Sequence, residues 1–264
     1  MDKQKVLIAG KGFIGTRIGE KLGGEVKYLS LNSGDYQIDI TEEFEIEEEF
    51  DVLIHTVGLE PGTKSKEAYE AVHVDGTRNL LDGVKADKVV YISALGVGKI
   101  DHPYMNTKAK AEELVKQEER WTIVRPSIVY GDENVSMKNI AEKFPVLSFP
   151  ELDVKMQPIM VEDLVDVMIE AAEGYDNETL EIGGPEQLYA HEMFEKYYRS
   201  HGKRFYSFPM PMFVPRTAMK ALSKLPLGTP ELSRENVNLL SDNVIEEEND
   251  AKRVLGHLRK VPDS

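Results

Sequence analysis

Three side chains in this 264-residue chain have the types and spacing for proton chemistry. Tyr104 and Lys108, in "PYMNTKAKAEE", stand four positions apart, which on a helix places them on one face with Cβ atoms roughly 5–6 Å apart. An ammonium beside a phenol favours the phenolate and draws the tyrosine down from ~10, towards a value that allows proton exchange near neutrality. That is the equipment of a general acid/base for interconverting a carbonyl and an alcohol. Ser93, at the end of the apolar run "VVYIS", adds a hydroxyl able to donate a hydrogen bond to the reacting oxygen. Taken singly, each has an ordinary structural use as well: a tyrosine anchors helices to sheets, and a serine ends strands.

A second motif supplies a place for a cofactor. Gly10-Lys11-Gly12-Phe13-Ile14-Gly15 reads GxGxxG between an apolar strand pattern and a helix start. In such a loop the first glycine makes the tight turn, the second admits a pyrophosphate to the backbone, and the third lets helix pack on strand. The helix N-terminus then favours the anion. About 20 residues further on, where an acid would grip a ribose 2′-hydroxyl, the chain has Ser30, Leu31 and Asn32. With no acid there to repel a 2′-phosphate, and with Lys11 and Arg17 close by, NADP(H) is favoured over NAD(H).

The elements that must position these residues alternate. Strand patterns at Val6–Ala9, Val26–Leu31, "DVLIHTVG", "KVVYISALG" and "WTIVRPSIVYG" are separated by helical patterns at Phe13–Leu22, Ala68–Leu81 and Pro103–Glu119. "NSGDYQ" reads as a turn, and "ITEEFEIEEEF" as a short acidic helix capped by Thr41, with Phe44 and Phe50 turned inward. The alternation predicts an α/β fold with a doubly wound parallel sheet, the Rossmann fold, over residues 1–131. Residues 132–264 are expected to form a smaller α/β lobe for substrate or partner, partly interwoven with the sheet at its carboxyl edge.

Composition narrows the function. A net charge of −15 argues against general nucleic-acid binding, because nothing would neutralise a phosphate backbone over a wide surface. The chain has no cysteine, and its six histidines lack ligand spacing, so no metal is expected. No apolar run approaches the roughly 20 residues of a membrane span, and the sequence goes directly into a strand pattern, so a cytoplasmic protein is expected.

Taken together, these residues resemble the short-chain dehydrogenase/reductases of the extended or atypical type, the group that includes nucleotide-sugar epimerases. Asp39-Ile40 resembles the family's acidic-apolar pair under the adenine. "HTVG", with Thr56, Val57 and Gly58, is similar to its strand-end turn along the cofactor, and "GTRNLL" to its helix beside the active site. "RPSIVYG" resembles the RPxxVYG element, whose segment after Pro126 lies near the nicotinamide. The resemblance implies catalytic positions for Ser93, Tyr104 and Lys108, with Lys108 also holding the nicotinamide ribose. Two departures stand out. The loop is one residue shorter than the GxxGxxG usual in extended members, and Tyr104 follows Ser93 by only eleven positions, which leaves limited room for a sugar nucleotide.

The segment Phe208–Pro226 is rich in proline and methionine, and a helix begun at Pro215 would set Arg216, Lys220 and Lys224 opposite an apolar side. That is either a lid helix with its basic face in water or a contact for a membrane surface or protein partner. With Leu240–Val244 it resembles the branch containing the nucleotide-binding accessory subunit of respiratory complex I, in which the resemblance implies retained NADPH and a structural role. Three readings stay open: an oxidoreductase, a nucleotide-sugar epimerase or dehydratase, and a non-catalytic assembly module.

Overall fold

A computed structural model describes residues 4–61, 65–131, 137–138, 141–142, 146–151, 155–209 and 249–262. The first strand, β1 (Lys5–Ala9), carries Val6, Leu7, Ile8 and Ala9, all fully buried. A strand apolar on both faces belongs in the middle of a parallel sheet. It pairs in parallel with β2 (Glu25–Ser30) on one side and β4 (Ile46–His55) on the other. The sheet continues through β3 (Tyr36–Gln37), β5 (Val84–Ile92), β6 (Trp121–Pro126) and β11 (Glu178–Ile182), in the order β11-β6-β5-β4-β1-β2-β3. Every pairing is parallel, so the chain forms the Rossmann-type α/β fold its alternation predicts.

Helices cover both faces. On one lie α1 (Phe13–Lys21) and α5 (Val161–Glu173), closing a core with Val6, Ile8, Val52, Ile54, Val90 and Val124. On the other lie α3 (Gly76–Gly83) and α4 (Pro103–Val115), over Leu7, Leu53, Tyr91 and Ile123. Ahead of α3 the chain runs without a break through α2 (Lys66–Tyr69) and a π-helical stretch, Glu70–Asp75.

Local readings are corrected in three places. The acidic run is a strand, because β4 begins at Ile46 and its burial alternates, with Ile46 and Phe50 buried and Glu47 and Glu49 exposed. The Phe44 and Phe50 side chains do turn inward, but Thr41 caps no helix: it donates to the Asp39 carboxylate instead. The turn "NSGDYQ" contains the edge strand β3, and "RPSIVYG" splits, with β7 (Val129–Tyr130) leaving the main sheet to pair with β10 (Ile159–Met160).

A second core, of Tyr130, Met156, Met193, Tyr197, Tyr198 and Phe205, gathers two more strand pairs around α6 (Ala190–Ser200). These are β8 (Val146–Glu151) with β13 (Arg204–Pro209), and β9 (Lys155–Met156) with β12 (Leu188–Tyr189). The chain then returns to the main sheet through α7 (Asp250–Leu255). Asp250 accepts from the Glu181 amide at 2.8 Å, and Asn249 donates to the Gly183 carbonyl at 2.8 Å, so α7 satisfies the outer edge of β11. Most of the proline- and methionine-rich segment, 210–226, and Leu240–Val244 lie outside the described residues.

Candidate functional site

The chemistry-bearing residues meet at the carboxyl ends of β1, β4, β5 and β6, flanking the point where strand order reverses between β1 and β4. Open α/β sheets form their ligand crevice at this point. The three glycines of the loop there have different needs. Gly10 has φ +106°, and an added Cβ would lie 2.5 Å from Thr56 Oγ1. A Cβ at Gly15 would lie 1.9 Å from the Gly10 carbonyl oxygen. Both are therefore required by the fold itself. Gly12 is not: its φ is −100°, and an added Cβ would meet nothing within 4 Å. It is the N-cap of α1, where no side chain caps the helix and no acid stands in the first turn. Uncapped amides beside open space suit a pyrophosphate. Lys11, Phe13 and Ile14 complete the loop, and Thr56 ties β4 to it by donating to the Ala9 and Gly10 carbonyls at 2.9 and 3.0 Å.

Asp39 and Ile40 follow β3. Ile40 is buried and fits against Gly76, where a Cβ would meet it at 2.8 Å. The exposed Asp39 carboxylate is held below its usual range by the Thr41 amide and hydroxyl. Val57 and Gly58 continue β4, and Pro126 ends β6, its carbonyl accepting from the Leu95 amide. The cofactor-binding candidates thus lie at the carboxyl ends of the strands, from β3 to β6.

α4 brings up the proton-handling residues. It starts at Pro103, placed in the first turn, and His102 caps it by accepting from the Tyr104 amide. Lys108 is buried, donates to the Ile92 carbonyl at 2.9 Å, and lies 4.8 Å over the Tyr91 ring. Burial pushes its amine down to about 7. Gly58 leaves the room it occupies, since a Cβ there would stand 3.3 Å from Lys108 Nζ and 3.6 Å from His73 Nε2.

Tyr104 departs from the sequence expectation. Desolvation pushes its phenol up rather than down, and Tyr69 and Glu60 add to the effect. Its ring meets those of Tyr69 and His73 edge-on, at 5.7 and 5.4 Å, while the Lys108 amine is turned to the Ile92 carbonyl. The phenol is therefore a proton donor as it stands.

Ser93 departs too. Its hydroxyl donates at 2.5 Å to Glu112 Oε1, a buried carboxylate one turn beyond Lys108. Arg125 grips the same carboxylate through Nε at 2.9 Å and Nη2 at 2.6 Å, and also reaches Glu181 at 3.1 Å. Glu112 in turn raises the Arg125 guanidinium above its ordinary value. The expected donor to a reacting oxygen has thus committed its proton elsewhere.

Two histidines that sequence reasoning passed over complete the surroundings. His73, on the π-helical stretch, accepts from the Leu59 amide at Nε2, so Nδ1 carries the proton shared with Thr107 at 2.9 Å. His55 accepts from the Val57 amide at Nδ1, so its Nε2–H faces Thr77 at 2.9 Å. Burial, with the nearby Lys108, pushes His55 down to about 3 and His73 to about 2. Among the described residues no cluster of histidine and carboxylate side chains forms a metal site, and no helix is long and apolar enough to cross a membrane.

The comparisons agree with this fold. The family model NAD_binding_4, described as Male sterility protein, matches residues 40–150. The mitochondrial NADH-ubiquinone oxidoreductase 40 kDa subunit of Neurospora crassa is 26% identical over 215 residues, 78% of this chain. The chain spans 56% of that relative's length. The dTDP-4-dehydrorhamnose reductase of Bacillus anthracis, solved with NADP, superposes with a TM-score of 0.64 at 20% identity, over 80% of this chain and 85% of its own. The UDP-glucose 4-epimerase of Thermotoga maritima, solved with UDP-glucose, does so at 0.63 and 21% identity, over 90% and 97%. In fold and motifs, the chain resembles the extended short-chain dehydrogenase/reductases, and its relatives are in keeping with that resemblance.

Proposed function

We propose that this chain binds a nicotinamide dinucleotide in the crevice and uses Tyr104, Lys108 and Ser93 on a carbonyl or alcohol substrate. The observation that carries the reading is Tyr104 and Lys108 on one helix, with Lys108 Nζ against Gly58, in a fold whose glycine loop is open on its Gly12 side. The backbone amides at Gly12–Gly15 would hold the pyrophosphate, and Thr56, Val57, Gly58 and Pro126 would line the path to the nicotinamide. When bound, the dinucleotide supplies or accepts the hydride. Tyr104, kept protonated, gives its phenolic proton to the oxygen of a carbonyl as that oxygen gains charge. Lys108 lies one helical turn away and stabilises the phenolate that remains. Ser93, its proton given to Glu112, is left to accept a hydrogen bond from the hydroxyl form of the substrate.

NADP(H) is the preferred form in this reading. Ser30, Leu31 and Asn32 stand where an acid would grip a ribose 2′-hydroxyl, and Lys11 Nζ lies 5.0 Å over the ring of Tyr28 on β2. Residues 1–131 act as the cofactor unit, and the second core supports the substrate side. A sugar nucleotide fits less well, because the short link between Ser93 and Tyr104 is filled by its own packing of Ala94, Val97, Ile100 and Met105.

NADPH-linked reduction of a panel of ketones and aldehydes tests the catalytic assignment. Tyr104→Phe is expected to lower turnover by about 10²–10⁴-fold while NADPH affinity is kept; a variant with the wild-type rate would remove Tyr104 from the chemistry. The resemblance to the Neurospora subunit supports a second reading, in which the chain retains nucleotide for stability and docks a partner through Phe208–Pro226. Tyr206 and Phe208, exposed on β13 where that segment begins, are in keeping with it. Tight nucleotide retention without turnover on any carbonyl would favour this reading.

A further inference from the structure

Ser93 has one proton, and its direction determines what the pocket recognises. A serine hydroxyl offers one donor and two acceptor lone pairs. Here the donor is used: Oγ–H points to Glu112 Oε1 at 2.5 Å, both atoms being buried. Glu112 cannot swing away, because Arg125 holds it with two donors, at 2.9 and 2.6 Å. Arg125 is itself fixed at its other end by Glu181. Two-pronged guanidinium–carboxylate contacts set geometry as well as charge. What Ser93 Oγ has left to offer a neighbour is therefore lone pairs.

We propose that Glu112, clamped by Arg125, is a positioning residue that makes Ser93 a hydrogen-bond acceptor, so that the site selects the hydroxyl form of its substrate over the carbonyl form. The inference rests on the reading above, in which Ser93 and Tyr104 face the substrate. An alcohol satisfies both groups, donating to Ser93 Oγ and accepting from the Tyr104 phenol. A carbonyl oxygen accepts from Tyr104 but meets only lone pairs at Ser93, unless the serine breaks its bond to Glu112. A polar group buried without a partner is disfavoured strongly enough for the difference to show in affinity.

The test uses full-length protein saturated with NADPH and two probes read by nicotinamide fluorescence. One is 2,2,2-trifluoroethanol, a hydroxyl donor; the other is N,N-dimethylisobutyramide, which has no N–H and can only accept. Wild type is expected to prefer trifluoroethanol. The double variant Glu112→Leu/Arg125→Met removes the acceptor and its counter-ion together, leaving only Glu181, which is partly exposed, without its Arg125 contact. It frees the Ser93 proton for the substrate, and the ratio of the two dissociation constants is expected to shift by about tenfold towards N,N-dimethylisobutyramide. A merely structural role for Glu112 would weaken both probes alike and leave the ratio unchanged, which would overturn the inference. Probes that bind neither protein, with NADPH still held, would overturn the reading of the pocket as well. If the double variant does not fold, neutron diffraction from deuterium-exchanged wild type decides. A deuteron on the line from Ser93 Oγ to Glu112 supports the inference, and one aimed into the crevice contradicts it.

Discussion

Burial governs the titratable groups around Lys108, and the direction differs with the charge each would carry. Tyr104 is kept as a neutral phenol, while His55 and His73 are kept as neutral imidazoles, down to about 3 and about 2. Each imidazole also lends one nitrogen as an acceptor to a backbone amide, a role that protonation would abolish. The sign for stability follows. Unfolded, both titrate near 6.5. Below that pH the unfolded chain takes up protons that the folded chain refuses, so their contribution is complete above 6.5 and is lost as pH falls towards 3. Each histidine contributes a slope of up to roughly 1.4 kcal/mol per pH unit across that window. Urea unfolding at pH 7 and pH 5 should show wild type losing more stability than His73→Asn, and parallel losses would show that His73 is not held neutral. The pairing of Tyr104 with Lys108 was legible in the sequence, because i,i+4 spacing fixes a shared helix face. The desolvation of the phenol was not, since Tyr69, Glu60 and His73 come from distant positions. The Glu112 clamp had a signal that went unused: Glu112 continues the Tyr104–Lys108 stripe by one more turn, and Arg125 directly precedes Pro126.

Among elements, long periodic stretches were read correctly and short or acidic ones were not. β1, β5 and α4 have apolar patterns that allow few alternatives. "EIEEEF" has glutamates at nearly every position, and only the burial of Ile46 and Phe50 against β5 makes it a strand. Tertiary pairing overrode propensity there. The same logic applies at the far edge, where β11 is closed by residues some seventy positions downstream that no local pattern reveals. Asp250 takes the Glu181 amide, and Arg253 pairs with Glu178 at 2.9 Å. Removing the carboxylate with Asp250→Ala leaves a part-buried amide unpartnered and is expected to cost about 1 kcal/mol. In a chain of this size that corresponds to a fall of about 2–4 °C in melting temperature. An unchanged melting temperature would mean that α7 does not secure the edge.

On the scale of the whole molecule, alternating strands and helices determine a sheet, and the sheet determines where its loops converge. That is why the crevice was readable before any coordinates: the loop after β1, the turn after β4, and the ends of β5 and β6 must meet at one end of parallel strands. The second core was less readable, because its strands are two to six residues long and pair across large gaps in sequence. The central claim is that the crevice is built for a dinucleotide, and Gly12 isolates it, because Gly10 and Gly15 are glycines for the fold whereas Gly12 has free space at its Cβ. An aspartate at this N-cap suits the helix by itself, yet it would put a carboxylate where the pyrophosphate should lie. The decisive measurement is an NADPH titration of wild type and Gly12→Asp, paired with their melting curves. The account predicts that the variant melts within a few degrees of wild type and binds NADPH at least about 100-fold more weakly. Equal NADPH affinity in the two proteins, or no binding by wild type, would contradict it.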